Sequence, residues 1–395
     1  HALRRPTVAA YAVFILSGVT FASWASRIPA VRDALALSPR GLGLVLLSIA
    51  LGSVTAMPLA GLVVARVGTT RTVAVAALVA AAGLAVAGAG DRWGVTAVVL
   101  GLFALGAGNG TWDVAMNVEG AAVERERRRP LLPRLHAGFS VGTVVGALGG
   151  ALTVALGVPT AVHLGAVAVV VAVAAPLAAR GFLPRGAAPE DGPRPHPLGA
   201  WRERRTLLVG VFVFAAAFTE GTGNDWLGVA MVDGHGAGAA LAALALAAFL
   251  AAMTLGRWFG PALIARHGRI ASVRMLGVVA LAGLALVVWG PALPVAIAGA
   301  ALWGLGTALG FPVGMSAAGD DAAHAAGRVS VVATIGYVAF LAGPPLIGML
   351  VAHTGILRAL TLTAGLVALG LLVSGALRPP PASPPTSPGV GRRPA

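Results

Sequence analysis

The sequence predicts an all-α membrane protein in which twelve transmembrane helices form two pseudo-symmetric six-helix bundles, and three observations predict it. First, 57% of the 395 residues are hydrophobic and 11% are charged, with a mean hydropathy of +0.88. A soluble chain carries about 25% charged residues to cover its surface, so lipid is the solvent of most of this one. Second, apolar runs long enough to cross a hydrocarbon core of about 30 Å recur along the whole chain. Backbone groups in lipid must satisfy one another, and runs of this length do so as helices. Third, short strings recur at one constant offset: A-R-x-G at Ala65–Gly68 and Ala265–Gly268, and Leu105-Gly106 and Leu305-Gly306.

The spans are expected at 7–28, 41–65, 72–90, 95–117, 135–157, 160–180, 206–227, 238–263, 271–290, 294–317, 329–351 and 356–377. The first run follows Arg4 and Arg5 as a secretory signal would, but the spans behind it make it an uncleaved first helix. The organisation read from this is an N-terminal bundle over 1–180, a cytoplasmic linker over 181–205, a C-terminal bundle over 206–378 and a disordered proline-rich cytoplasmic tail over 379–395. Pro184, Pro189, Pro193, Pro195 and Pro197 mark the linker.

All 28 basic residues are arginines. With the N-terminus inside, 22 of the 28 fall in cytoplasmic segments, including Arg125, Arg127, Arg128, Arg129 and Arg134, while five are periplasmic and Arg257 lies within a span. Short loops retain arginine on the cytoplasmic side, so the expectation is a multi-pass protein of the bacterial inner membrane with both termini cytoplasmic. The net charge of +14 then reports topology and contact with anionic lipid, and no nucleic-acid partner is expected. The chain has no cysteine, which excludes disulfides and thiolate chemistry. No phosphate loop or metal-ligand cluster is readable, so no cofactor, metal or catalytic residue is expected. G-F-S-V-G at Gly138–Gly142 lies in an apolar helix and not a nucleophile elbow, and the Gly142/Gly146 pair reads as a close-packing site.

An ionisable group inside a span is costly and marks a functional candidate. Asn109, Asp113 and Asn117 follow at four-residue steps and so share one helical face. Glu220 and Asn224 repeat the spacing in span seven, with Asp225 and Trp226 beyond them. A carboxylate desolvated near the midplane can take up and release protons, which assigns proton coupling to Asp113 and Glu220. Asn109, Asn117, Asn224, Ser140, Thr334 and Tyr337 are candidate solute ligands, and Trp24, Trp112, Trp226 and Trp303 candidate stacking surfaces. Arg257 is expected to pair with Asp320 or Asp321.

Several strings carry a resemblance: N-V-E-G-A-A-V-E-R-E at Asn117–Glu126, N-D-W-L at Asn224–Leu227, M-V-D-G-H-G at Met231–Gly236, R-V-S-V-V-A-T at Arg328–Thr334 and G-P-P at Gly343–Pro345. From about Thr7 to Arg378 the chain resembles the major facilitator superfamily, specifically its fucose-permease-like bacterial members. The resemblance implies the major facilitator fold and alternating access. It also implies gating loops at Arg66 and Gly68 and at Arg266 and Gly268, with Ala65 where the family signature carries an acid. The span-four acid-x-x-x-Asn pattern of fucose-permease relatives, where the acid joins in proton-coupled sugar binding, falls on Asp113 and Asn117. Ser17 to Ala25 lacks the acid that fucose permease has in span one.

The function expected is secondary active transport of a small polar solute, a sugar or related metabolite, with protons and membrane lipid as further partners and a monomer as the unit. The alternatives are a proton-driven exporter of amphiphilic metabolites or drugs and, from another class, a non-transporting membrane sensor or scaffold.

Overall fold

The computed structural model describes residues 3–127, 131–184, 199–321 and 324–379. Arg128, Arg129, the linker prolines from Pro189 to Pro197 and nearly all of the expected tail lie outside the described residues. Among the described residues there are no strands and twelve helices long and apolar enough to cross a membrane. They are α1 (Arg4–Ala34), α2 (Pro39–Val67), α3 (Thr69–Gly88), α4 (Arg92–Arg127), α5 (Arg134–Ala155), α6 (Thr160–Ala179), α7 (Arg204–Gly234), α8 (Ala239–His267), α9 (Arg269–Trp289), α10 (Leu293–Ala318), α11 (Gly327–Thr354) and α12 (Ile356–Leu377). The helices outrun the hydropathy signal. α4 continues past Asn117 because the Glu- and Arg-rich stretch to Arg127 is itself a good helix former and needs no lipid around it.

Gly68 and Gly268 end α2 and α8 in the same way, at φ 84° and 79° with ψ 163° in both. Their N–H groups donate to Val64 O at 2.9 Å and Ile264 O at 2.8 Å. A side chain is strained at such φ values, so glycine is what lets the chain reverse into α3 and α9 within one residue. The repeated A-R-x-G strings are thus the same turn made twice.

α1 packs on α5, α2 on α4, and α3 on α4 and α6. In the second set, α7 packs on α11 and α12, and α10 on α8 and α9. The sets meet along α5–α8 and α2–α11. Small residues permit the close approaches: a Cβ on Gly106 would lie 2.0 Å from Ile49 O, one on Gly304 2.0 Å from Phe249 O, and one on Gly142 2.1 Å from Ile15 O. Without a hydrophobic drive between helices in lipid, such backbone contact is what holds them.

The first and last helical residues lie on one face, called here the terminal face, and α1–α2, α7–α8 and α11–α12 turn at the far face. At the far face Arg32 of α1 pairs with Asp233 of α7, and Arg40 of α2 meets the His353 ring of α11. There α2 and α11 are pressed together, since a Cβ on Gly43 or Gly348 would lie 2.5 Å from the carbonyl oxygen of Pro344 or Pro39. α1 breaks at Ser26 and Arg27, where buried Arg27 donates Nε to His163 Nδ1 at 3.0 Å and Nη2 to Thr153 Oγ1 at 2.9 Å and Val158 O at 3.1 Å. Asp233 lies in the π-helical turn Ala230–Gly234 that closes α7.

At the terminal face each half carries a clasp. Buried Glu119 of α4 accepts from Thr69 Oγ1 and from Leu183 N, both at 2.7 Å, tying α3 and the end of α6 to α4. In the second half Asp320 accepts from Arg205 Nη2 at 2.8 Å and from Arg269 Nη1 and Nη2 at 2.9 and 3.0 Å. Arg269 Nη1 also reaches Leu377 O at 3.1 Å, so the start of α9 and the end of α12 are tied in the corresponding way.

Candidate functional site

Between the halves lies a cavity of about 270 Å³, lined by α1, α2, α4, α5, α7 and α11. That volume sits at the small end of ligand pockets. Asn109 and Asp113 from α4, Asn224 and Asp225 from α7 and Tyr337 from α11 supply its polar lining, with Ser17 and Ser53. Phe21, Phe139 and Phe340 supply its aromatic walls. The four-residue spacing of α4 does what one helical face should. Asn109 Oδ1 accepts from Ser17 Oγ at 3.3 Å across to α1, and Asp113 lies one turn on.

Asn117, the third member of that face, stands behind Asp113. Its Nδ2 donates to Asp113 O at 2.8 Å and Oδ1 at 3.2 Å, and its Oδ1 meets His136 Nε2 at 3.0 Å. A continuous polar chain, Asp113–Asn117–His136, therefore runs from the cavity to an exposed histidine in the first turn of α5. Two acids in the cavity come from opposite halves, and among the described residues its lining includes no arginine and no histidine.

Other expected residues lie elsewhere. Glu220 Oε1 accepts from Arg257 Nη2 at 2.8 Å, and Arg257 Nε donates to Ala308 O at 3.3 Å. The expected pairing of Arg257 with Asp320 or Asp321 is corrected by this contact, because both Asp320 oxygens are already taken by arginines nearer the terminal face. Trp24, Trp112, Trp226 and Trp303 are 0–1% exposed and pack inside the protein, Trp303 edge-on to Phe249. None of the four is in the cavity lining, and their indole N–H groups have no partner among the described residues. Ser140 is buried with its Oγ on His136 O at 3.2 Å, while its carbonyl accepts from Thr254 Oγ1 at 3.3 Å across the α5–α8 seam. Thr334 is exposed and bonds back to Ser330 O at 2.8 Å. Arg66 and Arg266 are exposed beside their glycines.

Sequence reasoning passed over the far-face contacts of Arg32 and Arg40 and the Glu119 clasp; it named Asp320 with a different arginine, and it named Asp225 beside Glu220 without placing it in the cavity. Asp233 and Glu119 both sit in strings that carried the resemblance, M-V-D-G-H-G and N-V-E-G, which was the available signal.

Residues 9–338 match the family model of the Major Facilitator Superfamily. The uncharacterized transporter y4wD of Sinorhizobium fredii is 32% identical over 343 residues, 85% of this chain and 89% of that protein. Among solved structures, a mutant of the nucleoside transporter NupG superposes with a TM-score of 0.78 at 13% identity, over 95% of this chain and 100% of that one. A mutant of the E. coli fucose:proton symporter FucP does so with a TM-score of 0.64 at 15% identity, over 96% and 100%. The last two likenesses show the fold, and the first two show the family. The chain belongs to the Major Facilitator Superfamily.

Proposed function

We propose that the protein is a secondary transporter of the bacterial inner membrane that moves a small polar solute by alternating access, driven by protons that Asp113 binds and releases. The observation that carries this reading is Asp113 itself. It lines the cavity at the seam of the halves and is met by the neutral amide of Asn117, so neither protonation state leaves a cation without its partner. The Asn117–His136 chain gives a proton a route toward the terminal face, and the Arg32–Asp233 and Arg40–His353 contacts bar the far face. The arginine bias makes the terminal face cytoplasmic, with both termini there. Transport then consists of breaking the far-face contacts while the halves close over the cavity at the terminal face. Fucose and nucleosides, named for the two structural neighbours, are small hydroxylated solutes, which supports the same class here.

Glu220, expected to share the proton role, is assigned instead to its ion pair, because losing its charge would leave Arg257 uncompensated. A second reading, export of an amphiphilic metabolite, draws support from the Phe21, Phe139 and Phe340 walls. Reconstitution into liposomes with an imposed pH gradient tests both. Gradient-driven accumulation of a polar metabolite, lost in Asp113→Asn, supports the main reading, and movement confined to apolar compounds supports the second. Equal accumulation by native protein and Asp113→Asn removes the proton assignment.

A further inference from the structure

The charge of the cavity lining is one-sided: among the described lining residues it holds two acids and no cation. Asp225 has no hydrogen-bond or ion-pair partner among the described residues. Asn224 beside it is 7% exposed, lines the same cavity, and has an Oδ1 with no donor. A buried acceptor without a donor costs free energy, and a half-buried carboxylate without a counter-charge, as Asp225 is, costs free energy as well. Arg257 of α8 and Arg32 and Arg27 of α1 hold other partners and do not relieve this: Arg257 is bound to Glu220, Arg32 to Asp233, and Arg27 to His163, Thr153 and Val158 O. Asp113 differs because Asn117 donates to it, whereas no described residue donates to Asp225.

From this we infer that the transported solute is a hydroxylated amine bound as its cation, with Asp225 as its counter-charge and Asn224 Oδ1 as a second acceptor for the ammonium. The inference rests on the transport reading above and adds the charge of the solute to it. An ammonium group brings three donors and one positive charge to a lining that holds two acids and, among the described residues, no cation. A neutral polyol would leave the Asp225 carboxylate without a counter-charge, and a carboxylate or phosphate would face two acids with no cation among the described lining residues. Asn109 and Tyr337, on the facing helices, remain for the hydroxyls. The two acids then divide the work, Asp225 holding the solute and Asp113 the proton.

The test uses full-length protein in liposomes and a bacterial metabolite extract split by ion exchange into cationic, neutral and anionic pools, with the lumen analysed by mass spectrometry after a pH gradient is imposed. Enrichment from the cationic pool alone is expected. Asp225→Asn should lower it about tenfold or more, the loss of one charged hydrogen-bonded contact, and Asp225→Glu should retain part of it. If Asp225→Asn fails to fold, Asn224→Ala takes its place, with a smaller loss of the same solutes expected. Enrichment from the neutral or anionic pool, or unchanged enrichment in a folded Asp225→Asn, overturns the inference and leaves the transporter standing. No enrichment from any pool overturns both.

Discussion

In the first six helices Asp113 is met by the amide of Asn117, and Glu119 by a threonine hydroxyl and a backbone N–H. In the last six Glu220 is met by Arg257, and Asp320 by Arg205 and Arg269. The clasps tie corresponding elements in the two halves, so the difference lies in the donors and not in the architecture. An acid held by neutral donors can change protonation without stranding a charge. An acid held by arginine cannot. Of these four acids, the first half holds its two with neutral donors and the second half holds its two with arginines, while Asp225 in the second half is met by neither among the described residues.

Stability measurements sharpen it first at the clasps. Asp320→Ala strands two partly buried arginines and should cost about 3 kcal/mol, whereas Glu119→Gln keeps an acceptor for its neutral donors and should cost about 1 kcal/mol. Equal losses in thermal unfolding would erase the distinction. Next in size is the ion pair of α7 and α8: Glu220→Gln should cost about 2 kcal/mol, and Glu220→Gln with Arg257→Leu should recover most of it. Additive losses in that cycle would mean the pair contributes no coupling.

The far-face contacts should matter more for conformation than for stability, because the Arg32–Asp233 pair is partly exposed. The chain has no cysteine, so Ser53→Cys gives a single reporter inside the cavity. Asp233→Asn should raise its labelling by an impermeant maleimide from the far side about threefold, as loss of a contact worth under about 1 kcal/mol would. Unchanged labelling would remove the pair from the barrier. Smallest is a pH effect outside the membrane. The Arg328 guanidinium, donating to Glu203 at 2.6 Å, holds that carboxyl below the usual carboxylate range. Its stabilisation is therefore present above the ordinary glutamate pKa and fades as pH falls through the lowered value. The melting difference between native protein and Glu203→Gln should stay under about 1 kcal/mol and narrow below about pH 4.

The spans, the repeated glycine turns and the Asn109–Asp113 face were legible because each depends on one helix or one turn: hydropathy gives length, and four-residue spacing gives a face. Which faces meet is a property of pairs of helices, and a single sequence holds no such information. The tryptophans illustrate it. Their polar N–H invited a place at a ligand, but each ring buries a large apolar area, and in this fold that burial places them inside the protein. Glu220 and Asp225 stand five residues apart on one helix, and only the placement of Arg257 on α8 gives one a counter-ion and leaves the other facing the cavity.

The division between the halves is tested most directly by proton flux into proteoliposomes on addition of a transported solute, read with a lumenal pH dye. The account predicts solute-coupled proton entry in native protein and in the Glu220→Gln/Arg257→Leu variant, and none in Asp113→Asn. Proton entry that survives in Asp113→Asn and vanishes in the double variant would place the exchangeable proton in the other half and contradict it.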